Sequence, residues 1–118
     1  MRCSVHNRVL EVRDPDDGRL LWRGTFEGGA VRDAVPLPGT EDCIVVLETD
    51  VPGALSDGNV MRVRPNGTIV WRPLPVPGVG AYFRLEIRYG YLMAWSWTGY
   101  MVRLNPKRGS IVEKTFVK

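Results

Sequence analysis

Few residue types in this chain are placed to do covalent or metal chemistry. His6 is the single histidine and lies three residues from Cys3. A metal would need a second Cys/His pair at short spacing, and none exists. A nucleophile would need a base and an orienting carboxylate converging on it, and no such set stands out. Asp14-Pro15-Asp16-Asp17-Gly18 superficially suggests calcium. The calcium-loop pattern wants oxygen ligands at alternating positions, glycine at about the sixth place and a glutamate near the twelfth. Here the glycine comes one place early and the glutamate is missing, so the segment reads as a turn.

Binding chemistry has better candidates. Arg62, Arg64, Arg72, Arg84, Arg88 and Arg103 recur on predicted strands. Arg84, Glu86 and Arg88 alternate with Phe83, Leu85 and Ile87 and therefore share a face. Cross-strand ion pairing explains such a face; an anion-binding surface built from Arg62, Arg64, Arg84, Arg88 and Arg103 is the alternative. In Tyr91–Tyr100, Trp95 and Trp97 alternate with Tyr91 and Met93 on one side, and Leu92, Ala94 and Ser96 line the other. A strand apolar on both sides is normally buried on both. Tryptophan, tyrosine and methionine are also the residues of contact surfaces, and stacked indoles suit sugars. The possible partner or ligand contacts are therefore Arg62, Arg64, Arg84, Arg88, Trp95, Trp97 and Arg103. Two long Pro/Gly-containing connections, 50–59 and 73–80, are further places to expect a partner.

The elements that must carry these residues are strands. Thirteen glycines and nine prolines interrupt 118 residues, and no stretch has helical periodicity. One cassette occurs three times: a strand, a Pro/Asn/Asp-Gly turn, then a strand ending in a cation. Its copies are 14–23, 65–72 and 105–114, with glycines at 18, 67 and 109. That period is about one propeller blade. The chain reads as a single all-β domain holding a partial blade over 2–26 and full blades over 33–76 and 82–117. Each is an antiparallel up-and-down sheet. Alternation aligns Leu10 and Val12 with Met61 and Val63 and with Val102 and Leu104. Glu11, Arg62 and Arg103 then fall on a polar face.

The first cassette, Val12 to Trp22, resembles the tryptophan-docking repeat of pyrroloquinoline-quinone-type (quinoprotein-like) β-propellers. Asp14, Gly18 and Trp22 match its pattern and Arg19 replaces a lysine; Val12 and Asp17 depart. The second copy keeps Gly67 and Trp71 with a shorter turn. The third keeps Gly109, has Asn105 for the aspartate, and carries Glu113 where tryptophan is expected. The resemblance implies that Trp22 and Trp71 pack between blades. It does not carry catalysis: the quinone enzymes of the family need about eight blades around the cofactor and an adjacent cysteine pair. No cofactor or metal is expected.

Two and a half blades cannot close on themselves, and open edges attract other chains. The expected outcomes are a compact sandwich or partial propeller, or an oligomeric ring in which two copies supply about five blades. Composition fits an ordinary globular chain, with 44% hydrophobic and 25% charged residues. The net charge of +3 is too small and too evenly spread to announce a nucleic-acid binder. No signal-like or membrane-spanning segment is visible, so a cytoplasmic location is expected. Cys43 opens the apolar run Cys43–Leu47 and reads as a buried hydrophobe, with a bridge to Cys3 as the alternative. The reading is a non-enzymatic interaction module that contacts another protein or itself. A binder of an anionic or carbohydrate ligand is the alternative, and a small enzyme comes third.

Overall fold

The computed structural model describes residues 2–26, 29–48, 59–73 and 78–117. The connection 50–59, apart from Asn59, lies outside the described residues, as does the middle of 73–80. The chain is all-β. Its strands are β1 (Arg2–His6), β2 (Val9–Arg13), β3 (Leu20–Gly24), β4 (Val31–Pro36), β5 (Cys43–Leu47), β6 (Val60–Val63), β7 (Ile69–Trp71), β8 (Tyr82–Arg88), β9 (Tyr91–Ser96), β10 (Tyr100–Leu104) and β11 (Ile111–Phe116). They form three antiparallel up-and-down sheets, β1-β2-β3, β4-β5-β6-β7 and β8-β9-β10-β11. The second sheet starts at Val31, two residues earlier than the sequence suggests. The first sheet has three strands, the other two four.

The cassette turns explain why each outer hairpin closes where it does. Asp14 Oδ1 accepts the backbone N–H groups of Asp16 and Asp17 at 2.8 and 3.4 Å. Asn105 Oδ1 does the same for Lys107 and Arg108 at 2.8 and 3.3 Å. Gly18 and Gly109 share a φ of 73°, a left-handed value that glycine adopts without cost. The carboxylate suggested as a calcium ligand is thus occupied in shaping its turn. After each turn comes a bulge, between Val12/Arg13, Arg62/Val63 and Arg103/Leu104. It leaves Leu21, Val70 and Val112 as extra, exposed residues.

Strand pairing corrects the alignment of the first copy. Val12 pairs with Trp22, Arg62 with Trp71, and Arg103 with Glu113. The structural equivalents are therefore Val12, Arg62 and Arg103: the match of Arg62 with Arg103 holds, and only the first copy is one residue off, because Leu10 and Val12 face the following sheet whereas Met61, Val63, Val102 and Leu104 face the preceding one. The supposed polar face of the second sheet does not exist, because this sheet is buried on both sides. Cys43, Val45, Met61 and Val63 face the first sheet in a cluster with Leu10, Val12, Phe26 and Val31. Ile44, Val46, Val60 and Trp71 face the third in a cluster with Tyr82, Leu92, Ala94, Val102 and Leu104. Burying Cys43–Leu47 entirely explains its unbroken apolar run.

Tryptophan fixes how the sheets stack. A Cβ built on Gly67 would lie 2.3 Å from Trp22, and one on Gly109 would lie 2.4 Å from Trp71. Each indole thus lies flush on the turn glycine of the following sheet. Trp71 Nε1 also donates to the Pro106 carbonyl at 2.7 Å. Between the second and third sheets a buried Asn59 adds three bonds. Its amide donates to the Leu47 and Tyr82 carbonyls at 3.1 and 2.6 Å and accepts from Tyr82 N–H at 3.0 Å.

Gly18 and Gly109 have equal backbone strain for an alanine but differ in what lies above them. Gly18→Ala is expected to cost about 1 kcal/mol from the left-handed backbone alone. Gly109→Ala adds the collision with Trp71, about 1–3 kcal/mol more. Urea unfolding of the two variants checks the difference; equal losses would deny the docking contact its role.

Candidate interaction surface

Because the sheets stack in one direction, each has a forward face that the next sheet covers. The forward face of the first meets the second, and that of the second meets the third. The forward face of the third sheet meets no other strand among the described residues. Register places Arg84, Trp95, Met101 and Thr115 in one row and Glu86, Met93, Arg103 and Glu113 in the next, with Arg88 beside Tyr91.

Arginines cover the aromatics on this face. The Arg84 guanidinium lies 4.6 Å from the Trp95 ring centre, and that of Arg103 lies 4.5 Å from Tyr91. Such cation–π contacts contribute about 0.5–1 kcal/mol each where solvent reaches them. Glu86 pairs with both Arg84, at 3.4 Å, and Arg88. Glu113 pairs with Arg103 at 3.2 Å. Arg103 Nε is buried and makes no hydrogen bond. Trp95, Met93 and Met101 are half-buried beneath this layer and Tyr91 is 51% exposed.

The structure thus brings together Arg84, Arg88, Trp95 and Arg103 and separates them from the other three residues singled out in the sequence. Arg62 lies between the second and third sheets. Its Nε donates to Asp42 at 2.8 Å and its Nη1 to the Pro106 carbonyl at 2.9 Å, the same oxygen that holds Trp71. A guanidinium so engaged is a tie between sheets, so the five-arginine anion surface is not assembled. Arg64 sits exposed at the start of the Gly67 turn. Trp97 follows β9, and its N–H bonds the Ala81 carbonyl at 3.1 Å. Its ring packs on Phe83 at 4.5 Å, with Arg32 5.5 Å above it. Arg32 donates to the Phe83 carbonyl at 2.9 Å and pairs with Glu48. Arg32, Asp33, Glu48, Phe83 and Arg84 line an open depression of about 570 Å³ beside this cluster. Met101 and Glu113 were not singled out as contacts, because only the β9–β10–β11 register shows that they share the face.

Cys3 and Cys43 are free and interact with each other across the first and second sheets. This contact, then burial, pushes the Cys43 thiol far up from the ordinary range. The same contact lowers Cys3, against the opposing effect of its burial. Among the described residues no three His, Cys, Asp or Glu side chains gather as a metal site. No helix among them is long and apolar enough to cross a membrane.

This architecture, blade-like sheets stacked through tryptophan–glycine docks, is that of a β-propeller segment. Among solved structures the chain is similar to BamB from Moraxella catarrhalis, with a TM-score of 0.66 at 9% sequence identity. The match covers 96% of this chain and 31% of that one, so the chain spans about a third of its length. No family model matches the chain. No curated protein matches it.

The thiol pair has a pH signature. Cys3 is lowered, so its contribution to stability grows as pH rises toward the ordinary 9.0. Cys43 is raised, so above 9.0 the unfolded chain sheds a proton that the folded one keeps, and stability falls. Denaturation between about pH 7 and 10 is expected to show this rise and fall, and Cys43→Ala to remove the alkaline decline. Iodoacetamide should modify Cys3 at least about tenfold faster than Cys43.

Proposed function

We propose that the chain is a non-enzymatic interaction module that binds another protein through the forward face of its third sheet. The observation that carries this reading is the position of that face. The equivalent faces of the first two sheets are both sheet-to-sheet interfaces within the molecule. The third presents Tyr91, Met93, Trp95, Met101 and Arg84, residue types enriched where proteins meet. Its stacked aromatics and arginines resemble the anchors that dominate binding energy. Likeness to BamB supports the propeller framework on which this reading stands. Two thiols in contact but unbridged suit a reducing compartment, and a cytoplasmic location belongs to the proposal.

An anionic ligand is the second reading, favoured by the unbonded Arg103 Nε and by three arginines on one face. Glu86 and Glu113 already pair with all three, so an anion would have to displace them. That competition favours a protein, whose own side chains can exchange partners with both charges.

The test is native mass spectrometry of the chain recovered gently from its own cells, beside an Arg84→Ala/Trp95→Ser variant. The expected result is an added protein mass with the parent chain, reduced at least about tenfold in the variant while its unfolding midpoint stays within a few degrees. A complex indifferent to the double substitution overturns the reading. A small added mass, lost at high salt, would replace it with the anionic ligand.

A further inference from the structure

The backward side of the molecule carries a second recognition element, on residues separate from the face just described. The turns Asp14–Gly18 and Asn105–Gly109 share their framework of hydrogen bonds; the first adds bonds from Arg19 N–H to Asp17 Oδ1 at 2.8 Å and from Arg13 Nη1 to the Gly18 carbonyl at 3.0 Å. In each, the glycine N–H returns to the first residue's carbonyl, at 3.0 and 2.7 Å. In each, the first residue's N–H bonds the carbonyl just beyond the glycine, of Arg19 or Ser110, at 2.9 and 2.8 Å. Their glycines have the same φ. Yet Gly109 is buried under Trp71, whereas a Cβ on Gly18 would meet nothing within 4 Å among the described residues.

The residue two places after each glycine tells the same story. Ile111 packs against the cluster that contains Trp71. Its equivalent, Leu20, is 43% exposed. Pro15, the equivalent of the Pro106 that accepts the Trp71 indole N–H, is exposed as well. A glycine platform, an apolar wall and a carbonyl acceptor therefore stand together without an indole.

We infer that the Asp14–Leu20 turn is a docking site for a tryptophan presented on a β-strand of a separate protein. Its occupant takes the pose that Trp71 takes on Gly109: ring flat on Gly18, edge against Leu20, indole N–H to the Pro15 carbonyl. A second copy of this chain is a poor occupant. The place of Trp22 and Trp71 in its third sheet is held by Glu113. Docking would bring Glu113 toward Asp16 and Asp17, which are exposed on the turn.

The experiment restores the missing donor. Glu113→Trp gives the chain an indole where its other two sheets have one, so copies should associate head to tail. Sedimentation over about a hundredfold range of concentration is expected to show dimers and larger species for Glu113→Trp only. Adding Gly18→Asn should return the parental sedimentation, because asparagine tolerates the left-handed backbone while its Cβ blocks the ring. A folded Glu113→Trp chain that stays monomeric overturns the inference, as does association that survives Gly18→Asn. If Glu113→Trp does not fold, the unaltered chain is titrated with a peptide of its own sequence 68–73. Saturable shifts of the Gly18 and Leu20 amide signals, lost when the peptide's tryptophan is alanine, support the dock. Unmoved signals overturn it. None of these variants touches Arg84 or Trp95, so failure here leaves the protein-binding reading of the third sheet standing on its own test.

Discussion

The stacking of one indole on one glycine holds this molecule in its shape. Three sheets joined only by their apolar faces could slide or rotate, since hydrophobic contact is not directional. A tryptophan seated on a turn removes that freedom. Trp71 lies on Gly109, is held by the Pro106 carbonyl, and is flanked by Arg62, which reaches the same oxygen. One carbonyl with two lone pairs thereby joins two strands of the second sheet to the outer turn of the third. At the inner end of the same interface, Asn59 ties Leu47 to Tyr82. Two polar anchors at opposite ends of an apolar layer fix both spacing and angle. A buried polar group contributes in this way only when fully bonded, as both of these are.

Much of this was legible in the sequence because turns are local. Asp14, Asn105 and the three glycines announce their conformations without help from the rest of the chain. The tryptophans after them could be read as packing residues from size and repetition. The facing of the first sheet was not legible. Leu10 and Val12 point into the following sheet, whereas Met61, Val63, Val102 and Leu104 point into the preceding one, so matching apolar residues put the first copy one residue out. The burial of the second sheet on both sides was not legible either, and Arg62 therefore looked like a member of a polar surface. A guanidinium reads the same in sequence whether it faces water or a neighbouring carbonyl; only the sheet packed over it decides.

The candidate face was half legible for a related reason. Alternation along β8 and β9 grouped Arg84, Glu86 and Arg88, and Trp95 with Met93 and Tyr91. It could not show that these two strands and β10 present one surface, because that depends on register between strands. Nor could it place Trp97, which leaves the strand and turns toward Phe83 and Arg32. Its backbone is redirected by Ser96 and Thr98. Their hydroxyls bond each other at 3.0 Å, and that of Thr98 also donates to the Val79 carbonyl at 2.6 Å.

A repeat whose members join head to tail faces a general hazard. If its two ends match, copies add to one another without limit and form fibres or rings. Here the ends do not match. The backward face of the first sheet carries Glu11 paired with Arg13 and Arg23, where the corresponding faces of the other sheets are apolar. The forward face of the third replaces the docking tryptophan with Glu113, and arginines cover its aromatic residues. Each change removes a term that internal stacking relies on, and the acidic Asp14–Gly18 turn adds repulsion. Like charges at a would-be joint discriminate against a second copy without weakening the joints already inside the molecule. On the proposed function, the apolar residues that remain on the outer faces, Leu20 at one end and Trp95 and Tyr91 at the other, serve partners whose chemistry differs from the chain's own.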